Sequence, residues 1–155
     1  MRSIVDITRH RKQYCALTRA ERLNDHNSCM SVIKKPTILI VDDNRDAADT
    51  LAMLIESMGF RAMTAYDTPA GLKLARDISP QIIFHDIGMS GMDGYMAARQ
   101  LRSEAQFAKT YLIALTAYTA TVDRTQALLA GFDLHLSKPL RYEDLMQVLN
   151  QAKKK

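Results

Sequence analysis

Cysteine is scarce: the 155 residues hold two, Cys15 and Cys29. Their spacing is not a zinc pattern, and no continuous apolar segment follows the basic N-terminal residues as a secretory signal would require. A disulfide scaffold and a structural zinc are therefore set aside, and a reduced cytoplasmic setting is expected. No apolar run approaches the roughly 20 residues of a membrane span, so no span is expected. The chain also lacks internal repeats, a glycine-rich phosphate loop and a dinucleotide fingerprint, which removes the common nucleotide-binding folds. Apart from the lysines at its end, it has no low-complexity segment.

What is present is the balance of a globular protein, 47% hydrophobic and 25% charged, with length for one domain and a sizeable core. The net charge of +4 is unevenly placed. Residues 1–35 hold eight Lys/Arg against three Asp/Glu, whereas residues 36–155 hold thirteen against fourteen. The basicity therefore belongs to a leader, residues 1–35, and to the tail Lys153-Lys154-Lys155. The leader carries no groove-reading motif and no clean amphipathic stripe, and reads as a solvated, flexible extension. Residues 36–152 are the expected domain.

From Pro36 the pattern becomes regular. Thr37 to Val41 is a continuous apolar run, as expected of a parallel strand covered on both faces. Leu51, Leu54, Ile55 and Met58 then recur at helical spacing, with Gly59 as a C-cap signal. Further strands fit Arg61 to Ala65, Gln81 to His85, Tyr111 to Leu115 and Leu134 to Leu136. Helices fit Pro69 to Ile78, Gly94 to Arg102, Thr119 to Ala130 and Tyr142 to Ala152. Strands alternating with helices define a doubly wound α/β fold with a five-stranded parallel sheet. Methionines 53, 58, 89, 92 and 96 are expected mostly in core or loop packing.

The polar residues collect at strand ends: Asp42 and Asp43 after the first, Asp86 at the third, Thr116 after the fourth, Lys138 after the fifth. Open α/β sheets bind ligands at the carboxyl ends of their strands. With strand order 2-1-3-4-5, taken from the fold type, Asp43 and Asp86 become neighbours. Carboxylates crowded this way repel one another, and a hard cation such as magnesium relieves the repulsion. Asp86 then has the makings of a carboxylate nucleophile that forms an aspartyl phosphate. Lys138 and the metal would neutralise the arriving phosphoryl charge, and Thr116 could donate to one of its oxygens. His85 faces the opposite side of its strand from Asp86, and is expected to be a hydrogen-bonded packing residue. Helix N-capping by the Asp42-Asp43-Asn44 run would explain one acid, not the arrangement at four strand ends.

ILIVDDN, the loop DIGMSGMDGY from Asp86, the LTA of Leu115-Thr116-Ala117 and the SKP of Ser137-Lys138-Pro139 together resemble the receiver domain of bacterial response regulators in two-component signalling. The resemblance runs from about Lys35 to Ala152 and implies the flavodoxin-like receiver fold. It implies Asp86 as phospho-acceptor, with Asp43, Asp86 and the backbone carbonyl of Gly88 on Mg2+ and Asp42 holding it through water. Lys138 would pair with the phosphoryl group, and Thr116 and His135 would act as the switch pair. The Lys138-Pro139 bond is commonly cis in this family.

Two departures stand out. His135 occupies a position where many receivers have Tyr or Phe, and GFDLHLSKP is similar to receivers of hybrid histidine kinases. Ser90 replaces a usual proline. Gly88 and Tyr118 fall where side chains tune hydrolysis, and a bulky Tyr118 is expected to lengthen the phosphoryl lifetime.

The resemblance implies a sensor histidine kinase or a histidine phosphotransfer protein as donor, and a downstream protein as target. Only lysines follow the last helix, so a single-domain regulator without a DNA-binding domain is expected, and a phosphorylation-linked homodimer is left open. Two alternatives remain: a pseudo-receiver acting as a binding module, and a receiver detached from a hybrid kinase. An aspartyl-phosphate phosphatase of the haloacid dehalogenase type would need a second acid two residues after the nucleophile, where Gly88 stands.

Overall fold

A computed structural model describes residues 35–90, 93–117 and 124–153, which fall within a compact unit beginning at Lys35. The leader to Lys34, with both cysteines, lies outside the described residues, as do Met92, Tyr118 and the last two lysines. Five strands, β1 (Thr37–Val41), β2 (Arg61–Ala65), β3 (Ile82–Asp86), β4 (Tyr111–Ala117) and β5 (Leu134–Lys138), form one parallel sheet in the order β2-β1-β3-β4-β5. Five helices intervene: α1 (Arg45–Ser57), α2 (Thr68–Ile78), α3 (Gly94–Ser103), α4 (Arg124–Ala130) and α5 (Tyr142–Lys153). The anticipated start of α4 at Thr119 falls outside the described residues. A 3-10 turn at Ala105–Phe107 had no signature in the sequence pattern.

The continuous apolarity of β1 and β3 follows from burial on both faces: all five residues of each strand are buried. Leu39, Val41, Ile83 and Ala114 face the layer of α2, α3 and α4, packing with Leu72, Ala97, Leu101 and Ala127. Ile38, Ile40, Phe84 and Leu115 face the other layer, with Ile55 of α1 and with Leu145, Val148 and Leu149 of α5. Two of the methionines are not core residues. Met53 is 72% exposed and Met96 56%, because each falls on the outward side of a helix whose other side meets the sheet.

Local signals fix the turns next to the site. Asn44, not either aspartate, caps α1: its Oδ1 accepts from the Ala47 N–H at 3.1 Å. That leaves the Asp42 and Asp43 carboxylates for other partners. Gly59 takes φ +90 just past α1, the left-handed position that glycine favours after a helix.

One close approach carries a prediction. A β-carbon on Gly71 of α2 would sit 2.7 and 2.9 Å from the methyls of Val41, at the carboxyl end of β1. Gly71→Ala gains about 1 kcal/mol of helix propensity but overpacks a fixed contact at a cost of about 1–3 kcal/mol. A net loss of about 1 kcal/mol is expected in urea unfolding; a stabilised variant would show that the two elements can move apart.

Candidate phosphoryl-acceptor site

The sheet brings the polar strand ends together. β1 and β3 are hydrogen-bonded neighbours, with Val41 opposite His85, so Asp42 and Asp43 follow one strand beside the point where Asp86 ends the other. One carboxylate oxygen from each of Asp42, Asp43 and Asp86 lies within 4.8 Å of the other two. Asp42 is 2% exposed and Asp86 8%, whereas Asp43 is open to solvent.

Lys138 closes this pocket from across the sheet. It is the last residue of β5 and not part of a following loop, since the ladder continues to pair Thr116 with Ser137 and Ala117 with Lys138. Its Nζ donates to Asp42 Oδ2 at 2.5 Å and to Asp86 Oδ2 at 2.6 Å. Burial opposes the ammonium charge, but the hydrogen bonds to Asp42 and Asp86, reinforced by their charges, hold Lys138 above its usual range. A cation bonded to both acids was not legible beforehand, because the expected partner of Lys138 was a phosphoryl group. The peptide bond from Lys138 to Pro139 is cis.

The other oxygens of Asp42 and Asp86 are also engaged. Asp42 Oδ1 accepts from the Asn44 N–H at 3.0 Å, and Asp86 Oδ1 accepts from the Gly88 N–H at 2.7 Å. Gly88 is thereby held against the Asp86 carboxylate. Three carboxylates are hard oxygen donors, of the kind that suits magnesium.

Thr116 is buried in β4, and its Oγ1 lies 2.9 Å from His135 Nε2. The two residues expected to form a switch pair are thus in contact, with the ring partly buried and not simply exposed on the surface. His85 is 3% exposed and points away from the acids. Its Nδ1 donates to the Asp86 carbonyl at 2.8 Å, its Nε2 lies 3.5 Å from Thr68 Oγ1, and Phe132 meets the ring edge-on. Burial pushes its pKa down, against the pull of the Asp86 carbonyl and the surrounding acids.

Acids and a lysine gathered at the carboxyl ends of a 2-1-3-4-5 sheet match one family in particular, and the response regulator receiver domain model covers residues 38–150. The chain belongs to that family. Protein PilH of Pseudomonas aeruginosa is 31% identical over 113 residues, 73% of this chain and 93% of its own. The receiver domain of sensor histidine kinase PA1611 from the same species is 27% identical with a TM-score of 0.69, covering 78% of this chain and 99% of that one. Its structure has a magnesium ion coordinated in the active site cleft. Chemotaxis protein CheY4 of Vibrio cholerae, at 24% identity, covers 76% of this chain and 98% of its own with a TM-score of 0.70, a likeness of fold. The protein is thus a receiver of two-component signalling, a family of phosphoryl acceptors. Among its described residues no helix is long and apolar enough to cross a membrane.

Proposed function

We propose that this receiver accepts a phosphoryl group on Asp86 from a phosphohistidine donor, a sensor histidine kinase or a histidine phosphotransfer protein, and signals by altered protein contacts. The observation that carries this reading is the ammonium of Lys138 bonded to both Asp42 and Asp86, 2.5 and 2.6 Å away, beside a third acid. A carboxylate oxygen of Asp86 attacks phosphorus while the phosphorus–nitrogen bond of the donor breaks. The bonding pair returns to the imidazole nitrogen, which then takes a proton from solvent. Lys138 and the Gly88 N–H stand beside the oxygens on which charge develops. Mg2+ would be held by Asp43, Asp86 and the Gly88 carbonyl, with Asp42 acting through water, and would neutralise phosphoryl charge.

A groove of about 790 Å³ runs from Asp42 and Lys138 between α1 and the segment after β5, with Leu51, Leu54 and Leu140 along it. It offers a donor protein an apolar approach to the acceptor. On another face, Leu128 and Leu129 of α4 are 52% and 79% exposed and Tyr142 of α5 is 59% exposed, which suits a downstream protein target or a phosphorylation-linked homodimer. Residues 36–152 constitute the receiver in this reading, and the setting is cytoplasmic.

Magnesium and Lys138 compete for the same carboxylates, which gives a direct test. Lys138→Met is expected to bind magnesium several-fold more tightly by calorimetry, while its labelling by a small phosphodonor slows by roughly 100-fold, as for loss of one charge-stabilising donor. Unchanged magnesium affinity would contradict the competition. A wild-type chain giving no calorimetric or thermal response to magnesium would favour the pseudo-receiver reading instead.

A further inference from the structure

β4 and β5 pair with Ala114 opposite His135. Thr116 lies two residues beyond Ala114 and so shares its face of the sheet, the face that His135 also takes. The Thr116 hydroxyl is buried, and His135 Nε2 lies 2.9 Å from its oxygen. A threonine hydroxyl has one proton to give and lone pairs to accept with, whereas a neutral imidazole nitrogen either donates or accepts according to tautomer. Thr116 therefore cannot donate to His135 and to a phosphoryl oxygen at once. A Tyr or Phe at this position has no ring nitrogen with which to take part in that choice.

We infer that His135 is a positioning residue that sets the direction of the Thr116 hydroxyl: Nε2 accepts from it while Asp86 is a free carboxylate, and donates to it once a phosphoryl oxygen takes the threonine proton. This rests on Asp86 as the phosphoryl acceptor. Only hydrogen bonds are exchanged at Thr116. The ring reaches its donating form in one of two ways, both through solvent that its partial exposure admits. The proton moves from Nδ1 to Nε2, or a second proton is taken up while Nδ1 keeps its own.

The second route couples phosphoryl binding to proton uptake, and by reciprocity an occupied site favours the protonated ring. In the resting protein that form is disfavoured. Burial, and then the charge of Arg124 on α4, the charged group facing the ring among the described residues, hold His135 below its usual pKa. The two states of the receiver should therefore differ in the protonation of this one side chain.

The test uses the full chain with magnesium, with and without beryllofluoride as the phosphoryl mimic, and follows the imidazole nitrogens of His135 by NMR. The expected result is an unprotonated Nε2 in the resting protein, with an Nε2–H and a higher ring pKa once the mimic is bound. Relative to His135→Gln, whose amide donates or accepts at any pH, the wild type should bind the mimic roughly fivefold more tightly at about pH 6 than at about pH 8, the low end of coupling between sites. His135→Phe should bind it more weakly than His135→Gln throughout. An Nε2 that stays unprotonated on mimic binding overturns the inference alone, whereas identical pH profiles for wild type and His135→Gln beside a newly formed Nε2–H would assign the change to the tautomer route. A wild-type chain that binds no beryllofluoride overturns the phosphoryl-acceptor reading and this inference with it.

Discussion

Asp86→Ala protein incubated with magnesium and a small phosphodonor is expected to take up no label above background. The acceptor must be a carboxylate whose oxygen can reach phosphorus while positive groups stand beside the phosphoryl oxygens. Asp86 is 8% exposed and lies beside Lys138 and the Gly88 N–H. Asp42 is nearly sealed, at 2% exposure, with one oxygen bonded to the Asn44 N–H and the other to Lys138. Asp43 is open to solvent, and the lysine bonds to the other two acids. Replacing it with Asn should preserve labelling at Asp86 while raising the magnesium concentration needed, since a neutral amide is a weaker ligand than a carboxylate. The pair of variants separates the two roles. A labelled Asp86→Ala chain of undiminished intensity would end the assignment of the acceptor, whatever Asp43→Asn does.

Arg102→Ala is expected to cost about 3 kcal/mol of folding stability, the largest loss anticipated for any single side chain discussed so far. Arg102 lies near the end of α3, and its guanidinium braces the edge of the molecule opposite the site. Nε donates to the Gly131 carbonyl at 2.8 Å, and Nη1 donates to the carbonyls of Phe107 and Thr110 at 3.0 and 2.9 Å. Nη2 meets Asp133 Oδ2 at 2.5 Å, and the same oxygen accepts from the Leu112 N–H at 2.7 Å. Truncation would strand the Gly131 and Thr110 carbonyls and take the cation from Asp133, around a side chain that is 23% exposed, where each orphaned group costs about 1–3 kcal/mol and relaxation toward water recovers part. Lysine should recover little, because a single ammonium cannot span a planar fork of acceptors. Urea denaturation checks this through the midpoint at constant slope. A loss below about 1 kcal/mol, or full rescue by Arg102→Lys, would show that water satisfies these carbonyls as well as the guanidinium does.

The residues that show how much the sequence reveals are the same ones that place the site. Unbroken apolar runs identified the buried strands, because a strand sandwiched between helices has no polar face to display. The clustering of Asp42, Asp43, Asp86, Thr116 and Lys138 at strand ends was legible once a parallel sheet was expected, although the strand order came from the fold type and not from periodicity. Strand lengths were less legible. Thr116, Ser137 and Lys138 look like loop residues by composition, yet their main chains complete the β4–β5 ladder. The Met53 and Met96 surfaces were misread because hydrophobicity alone does not say which side of a helix meets the sheet. Arg102 gave no local sign at all: its acceptors on Gly131 and Asp133 lie 29 and 31 residues away, and only the folded chain brings them near.

The acids, the acceptor and the ammonium ride on the first, third and fifth strands, separated by up to 96 residues between Asp42 and Lys138. During synthesis, then, a ribosome would release most of the α/β framework before any reactive centre existed. The complete centre therefore forms only when the edge strand that carries position 138 has joined the sheet.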